Sequence, residues 1–296
     1  MLGIVLKLTS VVLLSSMAAC VKYLGTAIPP GQIIFVRGLI SIVVLAAIAG
    51  ASEGLHLLGT RNWRAHASRS LAGTISMFCW FTALTLIPLA DLTAITFTAP
   101  MFLTVLAMLF LGERIHRYRW TALALGFVGV LIMIGPHLSF GGSVAGVGLG
   151  LSAAVFSALA MLFLRSMSGG GGEHAITITF YFSLTSMVCA AATALAGWPM
   201  PDAEQWAVIV LGGFFGVFGQ LLMTFSYRYA EASTIAPLDY ANLLVAVGYG
   251  YALFDEVPGT STWIGAPLVI AAGLIILWRE YRRRVPPAVP GALPNG

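Results

Sequence analysis

Long runs without charged residues alternate with short polar segments along this chain. Five runs contain no Asp, Glu, Lys or Arg, and they are 70–90, 92–112, 175–201, 205–227 and 257–278. A sixth run, 120–164, carries the turn residues Gly-Pro-His-Leu-Ser-Phe-Gly-Gly-Ser at 135–143 and therefore predicts two helices. Because a helix needs about 20 apolar residues to cross a bilayer, every one of these helices is long enough to span a membrane.

Three further apolar runs carry one or two charged residues each. They are 3–23 (with Lys7 and Lys22), 31–51 (with Arg37) and 233–254 (with Asp239). The pattern as a whole predicts an all-α integral membrane protein with ten transmembrane helices. Most of the connections are short, so neighbouring helices are expected to run antiparallel.

The basic residues are sorted by loop. If the N-terminus is cytoplasmic, only Lys22 lies at the outer face. The basic residues that then lie at the cytoplasmic ends of helices are Arg61, Arg64, Arg69, Arg114, Arg117, Arg119, Arg165, Arg228, Arg279, Arg282, Arg283 and Arg284. The positive-inside rule therefore predicts that both termini face the cytoplasm.

Composition narrows the class of protein further. Apolar residues make up 59% of the chain and charged residues only 9%, against about 25% charged residues in a soluble domain. These values exclude an ordinary cytosolic enzyme and a disordered chain. The net charge of +4 is distributed over the loops, so it forms no patch for a nucleic acid. The expected surroundings are a lipid bilayer, and the expected location is a bacterial inner membrane.

The sequence contains no motif that indicates an enzyme. It has no GxSxG, HExxH or CxxC motif and no phosphate-binding glycine loop. All five histidines fall in predicted loops, and none of them forms a spaced metal pair. Cys20, Cys79 and Cys189 lie within apolar runs and are interpreted as packing residues. No catalytic residue, cofactor or metal is therefore predicted.

The two halves of the chain align when they are offset by 143 residues. This offset places Lys22 on Arg165, Glu113 on Glu256 and Trp120 on Trp263. The predicted domains are a first five-helix repeat at 1–136 and a second at 144–280, followed by a disordered cytoplasmic tail at 285–296. Because five is odd, the second repeat enters the membrane from the opposite side, as in many secondary transporters.

The segment 83–135 resembles the EamA repeat of the drug/metabolite transporter superfamily. The matching residues are Ala90, Ala99-Pro100, Gly112-Glu113, Gly126, Gly129 and Gly135, whereas the second copy keeps Glu256 and Trp263 but has Leu243 in place of the proline. Within the family, the chain looks most like the bacterial YddG type, which exports aromatic amino acids. The resemblance implies a central cavity lined mainly by helices 1–4 and 6–9, with helices 5 and 10 peripheral.

Charges inside a membrane span are costly and are candidates for function. Lys7 and Asp239 lie at similar depth in helices 1 and 9, so they are candidates for an ion pair that gates the cavity. Snorkelling of Lys7 to the interface is the alternative. Arg37 is a candidate substrate ligand, with Asp91 as its candidate partner. A purely structural Arg37–Asp91 pair is equally compatible with the sequence.

Aromatic and polar residues in mid-membrane complete the candidate site. Trp80, Phe97, Tyr240 and Asn242 are predicted to line the cavity, because a Trp or Tyr in mid-membrane must satisfy its polar hydrogen. Ordinary helix packing is the alternative for each of them. Pro100 and Pro237 are predicted to kink helices 4 and 9.

These features predict a secondary transporter that exports small hydrophobic metabolites, foremost aromatic or other apolar amino acids, by alternating access. A broad drug or cation exporter of the same fold is the first alternative. An intramembrane enzyme or a membrane scaffold is an alternative of another class. An antiporter of phosphorylated compounds would need clustered basic residues in mid-membrane. Both a monomer and a homodimer fit the sequence.

Overall fold

The computed structural model describes residues 1–51, 54–60, 62–111, 117–139, 143–167, 175–229 and 236–284. Within these ranges all regular secondary structure is helical. Six of the described segments are long and apolar enough to cross a membrane, and two shorter apolar helices accompany them at Trp120–Met133 and Thr260–Ile275. The prediction of an all-α membrane protein is confirmed.

The first half of the chain contains six α-helices. They are α1 (Leu2–Leu24), α2 (Pro30–Ala51), α3 (Trp63–Leu84), α4 (Leu89–Thr96), α5 (Ala99–Leu111) and α6 (Arg117–Ser139), with a short 3-10 helix at Leu55–Leu58 between α2 and α3. Helices α4 and α5 are the two parts of the predicted fourth span, and α6 is the fifth.

The second half has the same number of spans. Its α-helices are α7 (Val144–Met167), α8 (Ala175–Ala192), α9 (Ala203–Tyr229), α10 (Ala241–Phe254) and α11 (Thr260–Arg284). A 3-10 helix at Thr193–Ala196 extends α8, and another at Ala236–Tyr240 leads directly into α10. This 3-10 helix and α10 form the ninth span, so the described helices make up the ten predicted spans.

Two predicted boundaries are wrong, and both errors have a physical reason. The third span begins at Trp63 rather than at 70, because Arg64 and Arg69 lie within its first two turns. The turn predicted at 135–143 does not begin at 135, since α6 continues through Pro136 to Ser139. Gly and Pro residues indicate a turn in water, but helices within a membrane tolerate them.

Helices α6 and α11 pack against each other at the edge of the bundle. Their close approach depends on small residues: a methyl group built on Gly129 would lie 2.7 Å from the carbonyl oxygen of Gly265. The main apolar core lies among α1, α3 and α4, with fully buried residues such as Phe81 and Leu92, and it extends to Val130 of α6 and Val269 of α11. This arrangement leaves the other eight spans to surround the centre of the molecule.

Candidate functional site

A cavity of about 360 Å³ lies at the centre of the bundle. The described residues of its wall come from spans 1–4 and 6–9, and none of them comes from α6 or α11. They are Leu14, Ser15, Met17, Ala18, Arg37, Arg69, Gly73, Ser76, Met77, Trp80, Phe81, Leu89, Thr93, Thr96, Phe97, Ser157, Ala160, Met161, Phe182, Gln220, Asn242 and Ala246. A volume in this range suits a small organic molecule.

The fourth span is broken where it meets the cavity. Helix α4 ends at Thr96 and α5 begins at Ala99, so Phe97 and Thr98 form a turn between them. The amide groups of Phe97 and Thr98 donate to carbonyl oxygens three residues earlier, at 3.2 and 3.0 Å. Pro100, in the first turn of α5, has no N–H with which to continue the helix of α4. The break places the Phe97 ring on the cavity wall.

The ninth span changes its geometry at the equivalent place. The 3-10 helix ends at Tyr240, and Tyr240 is the residue that the 143-residue offset assigns to Phe97. The two rings meet edge to face, with their centroids 4.8 Å apart. The backbone of Pro237 lies in the same 3-10 helix, so the change of geometry follows this proline as well.

Tyr240 was predicted to line the cavity, and the structure places it differently. Its hydroxyl group occupies the space that a methyl group on Gly273 would need, so the ring points towards α11. Phe97 stands between Tyr240 and the cavity. The sequence could not show this, because the spacing of residues along α10 does not reveal which neighbouring helix carries a glycine.

Arg37 is on the cavity wall but is not paired with Asp91. Its Nη1 atom lies 2.8 Å from the Sδ atom of Met77, and its buried Nε atom has no hydrogen-bond partner in the described part of the chain. The Asp91 carboxylate instead accepts a hydrogen bond from the Thr262 hydroxyl at 2.5 Å. The predicted pair does not form because Asp91 faces α11, whereas Arg37 faces the cavity and α3.

A second arginine in the cavity was missed. Arg69 was assigned to the cytoplasmic end of a helix, but it lies within α3 with its guanidinium carbon 4.8 Å from the centre of the Phe182 ring. Its Nε and Nη1 atoms are buried without a hydrogen-bond partner among the described residues. The neighbouring His66, also assigned to a loop, is buried in the same helix against the Tyr181 ring. A prediction that the third span begins at Trp63 would have placed both Arg69 and His66 within the helix.

Trp80 and Asn242 lie on the cavity wall, where the sequence predicted them. The indole of Trp80 packs beside Phe81, with ring centroids 5.6 Å apart. The side-chain oxygen of Asn242 accepts a hydrogen bond from the Ser15 hydroxyl, which joins α1 to α10. In this arrangement the amide nitrogen of Asn242 is the atom that can donate to a ligand.

Lys7 and Asp239 face each other near the N-terminal ends of α1 and α10. The Lys7 Nζ atom lies 2.6 Å from the Asp239 Oδ1 atom. The Lys7 side chain is 1% exposed and that of Asp239 is 46% exposed, because Asp239 sits in the 3-10 helix before α10 rather than within the α-helix. The lysine is therefore directed into the protein and does not snorkel towards lipid.

The opposite ends of the same helices are joined by a second ion pair, which sequence reasoning also missed. The Lys22 Nζ atom lies 2.7 Å from the Glu256 Oε1 atom. Lys22 also donates to the carbonyl oxygens of Leu84 and Ile87, at 3.2 and 2.9 Å. The other oxygen of Glu256 accepts the N–H of Leu89 at 3.0 Å. This network, the Lys22–Glu256 clamp, ties together the ends of α1, α3, α4 and α10.

Some predictions concern residues outside the described ranges: Glu113, Gly141, the glycine run 169–172 and the tail 285–296. The described residues contain no group of three or more His, Cys, Asp or Glu side chains placed to hold a metal ion. The three cysteines are free thiols.

The described residues form a helical membrane bundle with a small polar and aromatic cavity between two ion-paired ends, an architecture that suits a membrane transporter. The sequence model of the EamA-like transporter family matches residues 1–135 and again 144–278. The chain belongs to this family, as its resemblance to the EamA repeat predicted. It is therefore a multi-pass membrane protein of a transporter family, and its partners are a small-molecule substrate and membrane lipid.

Three curated relatives illustrate the range of the family. The riboflavin transporter of Rhizobium johnstonii is 31% identical over 76% of this chain and 74% of its own length. An S-adenosylmethionine uptake transporter of Rickettsia bellii is 30% identical over 95% of both chains. The pseudopaline exporter of Pseudomonas aeruginosa is 27% identical over 91% of this chain and 94% of its own. These names indicate transporters rather than enzymes.

The fold is also found in a crystal structure of another protein. That structure superposes on 96% of this chain and 99% of its own with a TM-score of 0.64 and 19% identity. Identity at this level shows the fold alone. The relatives named above carry substrates other than aromatic amino acids, so the narrower resemblance to aromatic amino acid exporters does not follow from them.

Proposed function

We propose that this protein is a secondary transporter that exports small metabolites with an aromatic or apolar body and a carboxylate, foremost aromatic and other apolar amino acids. The observation that carries the proposal is the cavity wall, on which Trp80 and Phe97 accompany the guanidinium group of Arg37. Rings stack on an apolar body, and a guanidinium group binds a carboxylate through paired hydrogen bonds. The relatives' names do not identify the substrate of this chain, since they include three different compounds: riboflavin, S-adenosylmethionine and pseudopaline.

The packing of the spans supports alternating access by two inverted repeats. Span 1 packs extensively on span 8, and span 3 packs extensively on span 6. Two five-helix repeats make span 1 equivalent to span 6 and span 3 equivalent to span 8. The first pair of packed spans is therefore equivalent to the second. The contact between Phe97 and Tyr240, which the 143-residue offset makes equivalent, agrees with the same relation. In such proteins one repeat rocks against the other around a central site.

The two ion pairs support a gating role at the two ends of the cavity. The Lys22–Glu256 clamp joins helix ends on the predicted outer side, and Lys7–Asp239 joins α1 to the start of span 9 on the predicted cytoplasmic side. Alternating access requires one end to open while the other stays closed. Each pair would therefore break in one of the two states.

The charge of the cavity argues against the alternative of a broad cation exporter. Its described wall includes two arginines and no Asp or Glu. Asp239, the candidate acid for binding a cation, pairs with Lys7 and is not among the described lining residues. A cationic ligand would meet two half-buried positive charges with no acidic side chain on the described wall.

A flux panel in proteoliposomes tests the proposal. The purified full-length chain is reconstituted, and uptake of aromatic, aliphatic and cationic solutes is measured with and without a pH gradient. We expect saturable flux of aromatic and apolar amino acids that Arg37→Gln abolishes. Flux of cationic drugs alone would establish the cation exporter instead. No flux of any solute in sealed vesicles would favour an intramembrane enzyme or a scaffold.

A further inference from the structure

The cavity wall carries two positive charges that no acidic side chain of the described residues neutralises. Arg37 and Arg69 both line it, and the described part of the wall has no acidic side chain. Arg37 contacts a thioether, and Arg69 contacts the face of a phenyl ring. Both groups are weak partners for a guanidinium group, which has five N–H donors. Buried N–H groups on both arginines lack hydrogen bonds to the described residues.

The two arginines belong to consecutive helices, and their Cα atoms lie at different depths in the bundle. Arg37 is seven residues from the first residue of α2, which corresponds to about 10 Å of helix rise. Arg69 is six residues from the first residue of α3, or about 9 Å. Because α2 and α3 are consecutive antiparallel spans, these distances are measured from opposite faces of the membrane. The Cα atoms therefore differ in depth by about 14 Å. The Arg37 guanidinium group extends to Met77, which lies about two turns along α3 from Arg69.

The rest of the described wall is mainly apolar. Trp80, Phe97 and Met161 line it, and Phe182 lies beside Arg69. A buried cation without a counter-ion is costly, so a ligand that brings one negative charge to each arginine gains more than a ligand that brings one charge in total. The apolar residues of the wall then contact the body of the ligand.

We propose that the preferred cargo is an organic dianion: an apolar or aromatic body with an acidic group at each end, one bound by Arg37 and the other by Arg69. This inference rests on the proposed function. Within its class of carboxylates with an apolar body, it ranks a cargo with two acidic groups above the amino acids, which carry one. Arg69 is then a specificity residue, since it distinguishes a cargo with two acidic groups from one with a single group. Arg37 binds the acidic group that both kinds of cargo share.

Competition between matched acids tests the inference. The probes are straight-chain α,ω-dicarboxylates of increasing length and monocarboxylates of the same length, added to the full-length protein. Binding is measured in detergent, and inhibition of amino acid flux is measured in proteoliposomes. We expect one range of lengths at which the diacid binds about tenfold or more tightly than its monoacid, because a hydrogen bond to a charged group typically contributes at least that factor.

Variants of α3 assign the effect to Arg69. Arg69→Gln is expected to weaken diacid binding to the level of the monoacid, with a much smaller effect on monoacid binding. Arg64→Gln is the matched control, because Arg64 lies in the same helix but is exposed over the Trp63 ring. It is expected to preserve the preference. If Arg69→Gln does not fold, the comparison of diacids with monoacids in the unmodified protein still tests the inference.

The outcomes separate this inference from the proposed function. Monoacid flux without a diacid preference at any length overturns the inference and leaves the proposed function in place. An equal loss of monoacid and diacid binding in Arg69→Gln also overturns it. Tight diacid binding without flux of any solute supports the dianion site and overturns transport.

Discussion

The Lys22 Nζ atom lies 2.7 Å from the Glu256 Oε1 atom and connects the end of α1 to the segment that follows α10. Both partners also hold helix ends: Lys22 binds the last carbonyl of α3, and Glu256 binds the first N–H of α4. A cation at a C-terminus and an anion at an N-terminus both complement the helix dipole. One ion pair therefore fixes four elements at one end of the cavity.

Neutralising one partner of this clamp is expected to loosen that end. In Glu256→Gln, Lys22 keeps its carbonyl contacts but loses its counter-charge, so we expect slower flux and faster cysteine labelling of the cavity from the Lys22 side. The side chains are 12% and 22% exposed, so water compensates only part of the loss. The charge-reversed variant Lys22→Glu with Glu256→Lys is the control and should recover part of the activity. If flux in the charge-reversed variant is no faster than in the single variants, the ion pair between these residues does not account for the effect.

A second prediction concerns Lys7 and Asp239, which are 2.6 Å apart. Asp239→Asn leaves a fully buried lysine without its carboxylate, and removing one partner of a buried pair typically costs about 3–5 kcal/mol. Because Asp239 is 46% exposed, we expect the lower part of that range in thermal unfolding, together with slower flux. The double variant with Lys7→Gln should lose less than the sum of the single variants. Simply additive effects would show that the two residues are not coupled.

A third prediction distinguishes the aromatic residues. Trp80→Ala removes a ring from the cavity wall, and a stacked ring contributes about 0.5–1.5 kcal/mol beyond its buried area, so apparent substrate affinity should fall several-fold. Tyr240→Phe keeps the ring that supports Phe97 and should leave affinity nearly unchanged. Trp120→Ala, at a residue that is 54% exposed, is the control for loss of a tryptophan. Equal affinities in the Trp80 and Trp120 variants would remove Trp80 from the site.

A fourth prediction tests the space that Arg37 occupies. A methyl group on Gly216 would lie 2.7 Å from the Arg37 Nε atom and 2.8 Å from the Met17 Sδ atom. Gly216→Ala should therefore displace the guanidinium group, lower carboxylate affinity and destabilise the fold by about 1–3 kcal/mol through overpacking. Gly148→Ala adds the same methyl group where no atom lies within 4 Å. Affinity measurements on both variants should show a loss for Gly216→Ala only.

A fifth prediction concerns topology. If both termini face the cytoplasm, a cysteine at 141 should react with an impermeant thiol reagent in intact cells, and a cysteine at 292 should not. The background lacks Cys20, Cys79 and Cys189, which are free thiols. Permeabilised cells control for the reactivity of the cysteine at 292. The reverse pattern would invert the orientation and exchange the sides assigned to the two ion pairs.

The sequence by itself determined the class of fold. Because a bilayer excludes water, a spanning helix must be long and largely free of charge, and these two requirements are visible in the chain without any tertiary information. The bounds of α1 and α2 follow the predicted runs 3–23 and 31–51 within one residue at each end. The EamA resemblance was also readable, because it depends on the order of Gly, Pro and Glu residues along one segment.

Only the tertiary structure decided which charges and rings meet. The sequence did not identify Arg69 as a cavity residue, because a basic residue near a helix end gives the same pattern whether its side chain faces water or a cavity. Tyr240 and Asp91 face α11, while Trp80 and Arg37 face the cavity, and this difference depends on how each helix is rotated in the bundle. In a helix that is apolar on all sides, hydropathy does not fix that rotation. It is set by close packing at small residues such as Gly216 and Gly273, which belong to other helices.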